Sequence, residues 1–438
     1  MAGELIGLGG IVAAAELGRA PADERLAIDQ AMRASLLCSL LGVEREGWVW
    51  PYRRDAGGAR ARLLSGVFEP LDGIGHLATL AAAADLDPMD PGPSHTVLPA
   101  TLSACVVGAS EDDVGSGVLA GVEAAWRLRR SVTGARPGVG FHSAGVYGAV
   151  AAAAAGARAM RLDAPGCANA MAIALTRAAG LAINSAASMI GMTHFGWGAA
   201  HGLEAALLAA EGWDAAHDLD KALSSLSGGG TVDASSIAGP GGLGAAAGLV
   251  FKRYPCNIYL NALVSLLEQV PERPVERIEI RMPWIPHLDC PAPRDIRQAR
   301  NSAQAVAAIA GAGDTSYAAF SGPRGRWIAK PEVAALLPRV QLVADPAAPT
   351  RLDQATVAVR AWRGGRQVLD ERRAMRELGG WGVEHARRLS GAPAQSRGLD
   401  VLYSGTITGA YRYVNDQRLR GAPQPVAATT GDTDGSGG

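Results

Sequence analysis

The chain has 438 residues, 48% of them hydrophobic and 19% charged, so it can bury a sizeable core and is expected to form more than one domain. Its formal net charge of −1 offers no field that would attract nucleic acid or an anionic membrane surface, and we expect neither as a partner. Five cysteines occur without a C-x-x-C pair, which argues against a disulfide framework and against a zinc site made of thiolates. This use of cysteine favours a reducing compartment.

Helical patterns dominate the first part of the chain. Residues 1–42 are expected to form two helices, the second beginning near Pro21. No basic segment precedes an apolar core at the N-terminus, and the Ala-rich stretch 148–157 is too short to span a bilayer, so we expect a cytoplasmic protein. From 143 to 211, small residues recur at three- and four-residue intervals, which is typical of closely packed helices.

The pattern changes after Pro271, where strand-like alternation begins. Residues 275–284 and 339–346 alternate, and 354–362 turns at Gly364-Gly365 into a further strand. The prediction is a mostly α protein, a large all-helical domain with a smaller α+β lid domain. We expect a helical domain over 1–270, a lid domain over 271–375 and a disordered tail over 421–438. Residues 376–420 could belong to the helical domain again.

Signature motifs of common cofactors and metals are weak or missing. There is no H-E-x-x-H, Walker A or G-x-S-x-G motif. Residues 239–244 fit G-x-G-x-x-G, but they follow no convincing strand and contain Pro240. His201 and Glu204 lie one helical turn apart without an evident third ligand. These residues therefore favour neither a dinucleotide site at 239–244 nor a metal site at His201 and Glu204.

Three of the eight histidines, His95, His142 and His194, each occur at an apparent break between helical segments, close to Gly or Pro. His95 follows Asp85 by ten positions in a Pro-rich loop, whose shape proline fixes at little entropic cost. Loops held by a rigid scaffold often carry catalytic residues, although a lone histidine of this kind is more often structural. A site hypothesis therefore requires these histidines to converge in space.

The stretch GFHSAGVYGAVAAAAAGARAMRLD (140–163) resembles the G-x-H-x-T-G stretch of the MmgE/PrpD family. DLDPMDPGPSHTVLPATL (85–102), THFGWGAAHGLEAALLAAEGW (193–213) and FKRYPCN (251–257) are similar to further motifs of that family, in the same order. The resemblance implies a helical domain with an α+β lid, a homodimer, and an active site in the cleft between the domains that needs no metal or organic cofactor.

The resemblance also implies site residues. By position, Asp85 and His95 match the family's catalytic-loop Asp and His, and His142 matches its central histidine. His287 falls where the family has a tyrosine of the lid, and we expect it to be a further catalytic group. Four other residues are expected to bind substrate: Ser143, Asn184, His194 and Asn257. His194 has an equally weighted alternative, a structural role.

The chain departs from the family at the positions expected to handle carboxylates. The family's lysine should precede Thr193, but the chain has Ile190-Gly191-Met192 there, and the last position of its K-x-Y-P-x-H motif is Asn257. Losing an ammonium group removes a point charge suited to a substrate carboxylate. We therefore expect a small carboxylate or carbonyl substrate other than 2-methylcitrate or cis-aconitate, in secondary metabolism.

Two functions from different classes follow from these residues. The first is a cofactor-independent lyase or isomerase that moves a proton at a carbon next to a carboxylate or carbonyl, a transfer that occurs in dehydration, decarboxylation and epimerisation. Histidine suits such a base because its ordinary pKa is near neutral. The alternative is a non-catalytic helical dimer that binds a small molecule or a partner protein through the cleft between its domains, where the family has its active site.

Overall fold

The computed structural model describes residues 2–46, 69–134, 140–185, 188–239, 243–321, 330–378, 381–390 and 397–420. The predicted disordered tail and residues 240–242 of the glycine-rich motif lie outside the described residues. The helices are α1 Ala2–Ala14, α2 Ala22–Arg45, α3 Glu69–Ala84, α4 Val97–Val107, α5 Glu111–Ser131, α6 Ser143–Ala159, α7 Ala164–Arg177, α8 Thr193–Ala210, α9 Leu219–Leu226, α10 Ile258–Leu267, α11 Ile296–Arg300, α12 Ala303–Gly311, α13 Pro331–Leu336, α14 Val383–Ser390, α15 Arg397–Ser404 and α16 Ile407–Arg420. The strands are β1 Val132–Thr133, β2 Thr231–Val232, β3 Arg277–Pro283, β4 Val340–Asp345, β5 Thr356–Arg363 and β6 Arg366–Ala374.

The larger core is built from helices α1 to α8, with α6 and α8 packed side by side at its centre. A Cβ added to Gly202 of α8 would lie 2.3 Å from the carbonyl oxygen of Ala149 in α6, so the two backbones approach as closely as glycine allows. The small residues at helical spacing in this region permit that approach. As a result, the N-terminal ends of α6 and α8 lie together, and these ends carry His142 and His194.

Helix α2 is long and apolar enough to cross a membrane, and the structure shows how its apolar surface is used. Its most apolar window is 72% buried inside the protein, and the helix packs against α3. Such burial is the arrangement of a core helix, in which hydropathy reflects packing against other helices.

A second, smaller core surrounds a four-stranded sheet in the C-terminal part of the chain. The strand order is β4-β3-β5-β6: β3 pairs parallel with β4, and β5 pairs antiparallel with both β3 and β6. Gly364 and Gly365 form the predicted turn between β5 and β6, with φ angles of +56° and +72°. The prediction of a mostly helical protein with a small sheet towards its C-terminus is confirmed.

Helices from the later part of the chain pack on both cores and connect them. Helix α10 packs with the sheet, whereas α14 to α16 pack on the helical core. Helix α11 joins the two cores through Arg300, whose Nη2 lies 2.9 Å from Glu46 Oε1, and both side chains are almost fully buried. The predicted domain boundaries stay a prediction, and α11 is the element that places sheet-side residues beside the helical core.

Candidate active site

The loop between α3 and α4 carries the acidic residues and the histidine predicted from the sequence. Asp85 opens it with a φ of +56°, a left-handed conformation that Asp tolerates better than most residues. Buried Asp90 then folds the loop on itself: its Oδ1 accepts hydrogen bonds from the backbone amides of Gly92 and Ser94 at 2.8 and 3.0 Å. The loop is thereby held in one shape, and His95 is presented at its end.

A buried carboxylate orients His95, and that carboxylate belongs to Asp87. His95 Nδ1 lies 2.6 Å from Asp87 Oδ2, and the Asp87 side chain is only 1% exposed. The other oxygen of Asp87 accepts a hydrogen bond from Lys252 Nζ at 3.0 Å, and Asp85 Oδ1 accepts from the same ammonium at 2.6 Å. Lys252 therefore bridges two carboxylates, one of which holds the imidazole.

The charges of this network set its protonation states. Burial by itself raises the pKa of Asp87, but Lys252 and His95 outweigh burial and bring that pKa below its usual range. Burial lowers the pKa of Lys252, and the two carboxylates more than reverse this and raise it. Asp87 is therefore ionised near neutral pH, and His95 donates its Nδ1 proton to it, which leaves Nε2 unprotonated when the ring is neutral.

A second pair of histidines lies directly beside His95. The ring centroids of His95 and His142 are 5.6 Å apart, and the ring of Phe195 packs against His95 with a centroid distance of 4.6 Å. His142 Nδ1 lies 3.0 Å from His194 Nδ1, so one of the two rings donates to the other. The ring that donates through Nδ1 has a free lone pair on Nε2, and the ring that accepts carries its proton on Nε2.

The environment of this pair favours its neutral form. Burial lowers the pKa of His142 well below its usual value, and nearby positive charge on His95, His194 and Arg297 lowers it further. Burial and Arg297 likewise lower the pKa of His194. The pair is therefore uncharged near neutral pH and can both donate and accept a proton.

These lowered pKa values predict how stability depends on pH. The unfolded chain takes up protons on these histidines near pH 6.5, whereas the folded protein resists protonation until lower pH. The free energy of unfolding should therefore fall as pH drops below about 6.5, by up to about 1.4 kcal/mol per pH unit for each histidine. Urea unfolding between pH 8 and pH 5 should show a shallower decline for His142→Gln than for the wild type, and identical slopes would contradict the assignment.

The remaining predicted residues lie at different distances from the histidines. Ser143 is the first residue of α6, next to His142. Asn184 accepts a hydrogen bond on its Oδ1 from Ser188 Oγ at 3.1 Å, in the segment before α8. Asn257 caps α10, and its Nδ2 lies 3.5 Å from Nε2 of exposed His287. The structure thus pairs His287 with Asn257, and a catalytic role for His287 stays a prediction.

Three residues that the sequence analysis did not assign take part in the site. Asp87, rather than Asp85, contacts His95, and Lys252 bridges both carboxylates. Arg297 of α11 is close enough to lower the pKa of both His142 and His194. Lys252 is part of the motif FKRYPCN, so its position in a recognised motif was an available signal. Arg297 belongs to no quoted motif.

Other features of the described residues lie outside this site. His201 Nδ1 lies 3.1 Å from the carbonyl oxygen of Arg177, and the Arg177 side chain forms an ion pair with Glu204. No group of three or more His, Cys, Asp or Glu in the described part of the chain is arranged to hold a metal. A surface cavity of about 470 Å³ is lined by sheet-region residues, among them Arg277 and Trp362, and contains none of the predicted site residues.

A comparison with protein families identifies the domain that carries the aspartate and the three histidines of the candidate site. Residues 57–222 match the MmgE/PrpD N-terminal domain, a range that contains Asp87, His95, His142 and His194. A comparison with curated proteins finds no match to this chain. Members of the matched family are generally lyase-type enzymes, which suggests a dehydratase or lyase-like role. The match over residues 57–222, together with the ordered motifs of the sequence, supports membership of the chain in the MmgE/PrpD family.

Proposed function

We propose that this protein is a cofactor-independent lyase or isomerase that moves a proton at a carbon next to a carboxylate or carbonyl. The observation that carries the proposal is the 2.6 Å contact between buried Asp87 and His95, with the His142 ring 5.6 Å away. A carboxylate that holds one nitrogen of an imidazole leaves the other nitrogen oriented as a base. The family's generally lyase-type activity supports the same reaction class.

In this proposal, His95 takes the proton from the carbon. Its Nδ1–H stays bonded to Asp87, so the imidazolium formed by proton uptake on Nε2 is stabilised by a buried anion. The neutral His142–His194 pair supplies the second proton transfer: one ring presents an N–H and the other a lone pair. Departure of a group from the adjacent carbon then gives elimination, and return of a proton to the opposite face gives epimerisation. In a decarboxylation CO₂ leaves instead of the proton, and the histidines donate a proton to the carbon that keeps the electron pair.

We further propose that the sheet-bearing core acts as the lid of this site. Lys252 lies just before α10, which packs with the sheet, and yet its ammonium reaches two carboxylates of the α3–α4 loop. Arg297 of α11, a helix that packs in the sheet-bearing core, is close enough for its charge to lower the pKa of His142. The substrate in this proposal is a small carboxylate or carbonyl compound of secondary metabolism, other than 2-methylcitrate or cis-aconitate.

The test is proton exchange with solvent. Wild type, His95→Ala and His217→Ala are incubated in D₂O with a panel of small carboxylates and cyclic ketones, and loss of the proton signal next to the carbonyl group is followed by NMR. We expect wild type and His217→Ala to exchange at least one compound, because His217 is bonded to Asn169 and not to a residue of the site, and His95→Ala to exchange it at least about a hundredfold more slowly because it lacks the base.

A different outcome would favour the non-catalytic alternative. Departures at Asn257 and at Ile190-Gly191-Met192 are the observations in its favour. If a member of the panel shifts the NMR signals of His142 and His194 but no member exchanges deuterium, the protein binds a small molecule in this cleft without proton transfer. The lyase or isomerase proposal then fails.

A further inference from the structure

Arg297 extends from the sheet-bearing core into the segment that precedes α8. Helix α11 begins after Asp295, whose side chain accepts a hydrogen bond from the backbone amide of Gln298 at 2.9 Å. From this helix, Arg297 Nη2 donates a hydrogen bond to the carbonyl oxygen of Ser185. The guanidinium is thereby held against residues of the helical core, next to the N-terminal end of α8.

The space that the guanidinium fills is open because residue 191 is a glycine. A Cβ on Gly191 would lie 2.8 Å from Arg297 Nη2 and 2.3 Å from the carbonyl oxygen of Asn184. A longer side chain at this position would collide with the backbone and with Arg297. The chain therefore places a cation here from α11, at a position where its own residue 191 can offer no side chain.

The guanidinium is not neutralised by the acidic residues around it. Asp85 and Asp295 are the acidic groups that raise its pKa, but burial and neighbouring Arg300 outweigh them, and the pKa of Arg297 is lowered. Asp85 is already paired with Lys252, and Asp295 caps α11. Within the described residues, buried Arg297 Nε has no hydrogen-bond partner. A partly buried guanidinium with an unused N–H is suited to a carboxylate, which it binds through two parallel hydrogen bonds.

The histidines give this cation a direction. Arg297 Nη2 lies 2.8 Å from the place of a Cβ on Gly191, which precedes His194 by three residues, and its charge lowers the pKa of both His142 and His194. An anion bound to Arg297 would therefore lie on the side of the site that carries these two histidines. Lys252 is buried and its charge is already balanced by two carboxylates, so it is less suited than Arg297 to bind a further anion.

We propose that Arg297 is the carboxylate-binding residue of this site, and that the ligand carries one carboxylate group there, with its neighbouring carbon directed towards His142 and His95. That the ligand is a substrate rests on the proposed function, but the binding of a carboxylate can be tested on its own. It places the specificity for a single carboxylate on a residue of the sheet-bearing core.

The experiment measures binding of acetate, with acetamide as its uncharged counterpart, from the NMR shifts of the His142 and His194 side chains in ¹⁵N-histidine-labelled protein. Wild type should bind acetate and not acetamide. Arg297→Met should weaken acetate binding about tenfold or more, and Arg297→Lys should weaken it less because it keeps the charge but loses the planar pair of donors. Arg294→Met, at an exposed position three residues earlier, should bind like the wild type.

Each result decides the matter. No acetate binding by the wild type, or equal binding by Arg297→Met and Arg294→Met, would overturn the proposal. If Arg297→Met does not fold, Arg297→Lys replaces it in the test. The proposal would then be overturned if Arg297→Lys binds acetate like the wild type and the wild type binds acetamide as well as acetate. Loss of acetate binding in Arg297→Met, with no deuterium exchange by the wild type on any panel compound, would keep Arg297 as a carboxylate-binding residue and remove the proposed function.

Discussion

Replacing Lys252 with methionine is expected to lower the free energy of unfolding by about 3–5 kcal/mol. The ammonium is 3% exposed and lies 2.6 Å from Asp85 and 3.0 Å from Asp87. Methionine has a similar length but no charge, so Asp87, which is 1% exposed, would stay buried with only His95 as a partner. The cost comes from an unpaired buried charge rather than from lost packing, and urea unfolding at pH 7 measures it.

The same substitution at an exposed ion pair is the control. Lys330 lies 2.5 Å from Asp314, but both side chains are more than 40% exposed, so Lys330→Met should cost less than about 1 kcal/mol. The deficit of Lys252→Met should shrink as pH falls from 7 towards 5, because burial without the ammonium raises the carboxyl pKa and protonation then removes the charge. Equal costs for the two variants would show that the bridge adds no more than a surface pair.

Replacing Asp87 with asparagine is expected to slow the proposed deuterium exchange by about 10²–10⁴-fold while leaving the protein folded. Lys252 Nζ can only donate, so the amide oxygen of the new side chain must face it. The amide nitrogen then faces His95 Nδ1, which must accept a hydrogen bond and release its proton to Nε2. The ring thereby loses the lone pair proposed to act as the base, while Lys252 keeps Asp85 as its ionic partner.

Nitrogen NMR of His95 distinguishes this account from simple loss of structure. The wild type should show the neutral ring protonated on Nδ1, and Asp87→Asn should show it protonated on Nε2. Asp353→Asn, at an exposed pair with Arg351, should change neither the exchange rate nor the tautomer. An unchanged exchange rate in Asp87→Asn, despite the altered tautomer, would remove His95 from the role of base.

Parts of the site were predictable because their signals are local in the chain. The Pro-rich loop with its acidic residues and His95 lies within twelve residues, and the breaks before α6 and α8 mark His142 and His194. Whether Asp85 or Asp87 contacts His95 depends on the turn of this loop, which Asp90 and the left-handed conformation of Asp85 decide. A catalytic role for Asp85, expected from its position in a motif, stays a prediction, and in the structure its carboxylate accepts a hydrogen bond from Lys252.

The composition and periodicity of the chain by themselves determined a mostly helical protein with a sheet near its C-terminus, because small residues at helical spacing and alternating strands are patterns of near neighbours. Only the tertiary structure decided which charges meet. Lys252 is separated from Asp87 by 165 residues, and Arg297 from Ser185 by 112, and neither distance leaves a mark on local periodicity. These pairs form because the sheet-bearing core packs against the helical core. That packing places Arg297 of α11 against the segment that precedes α8.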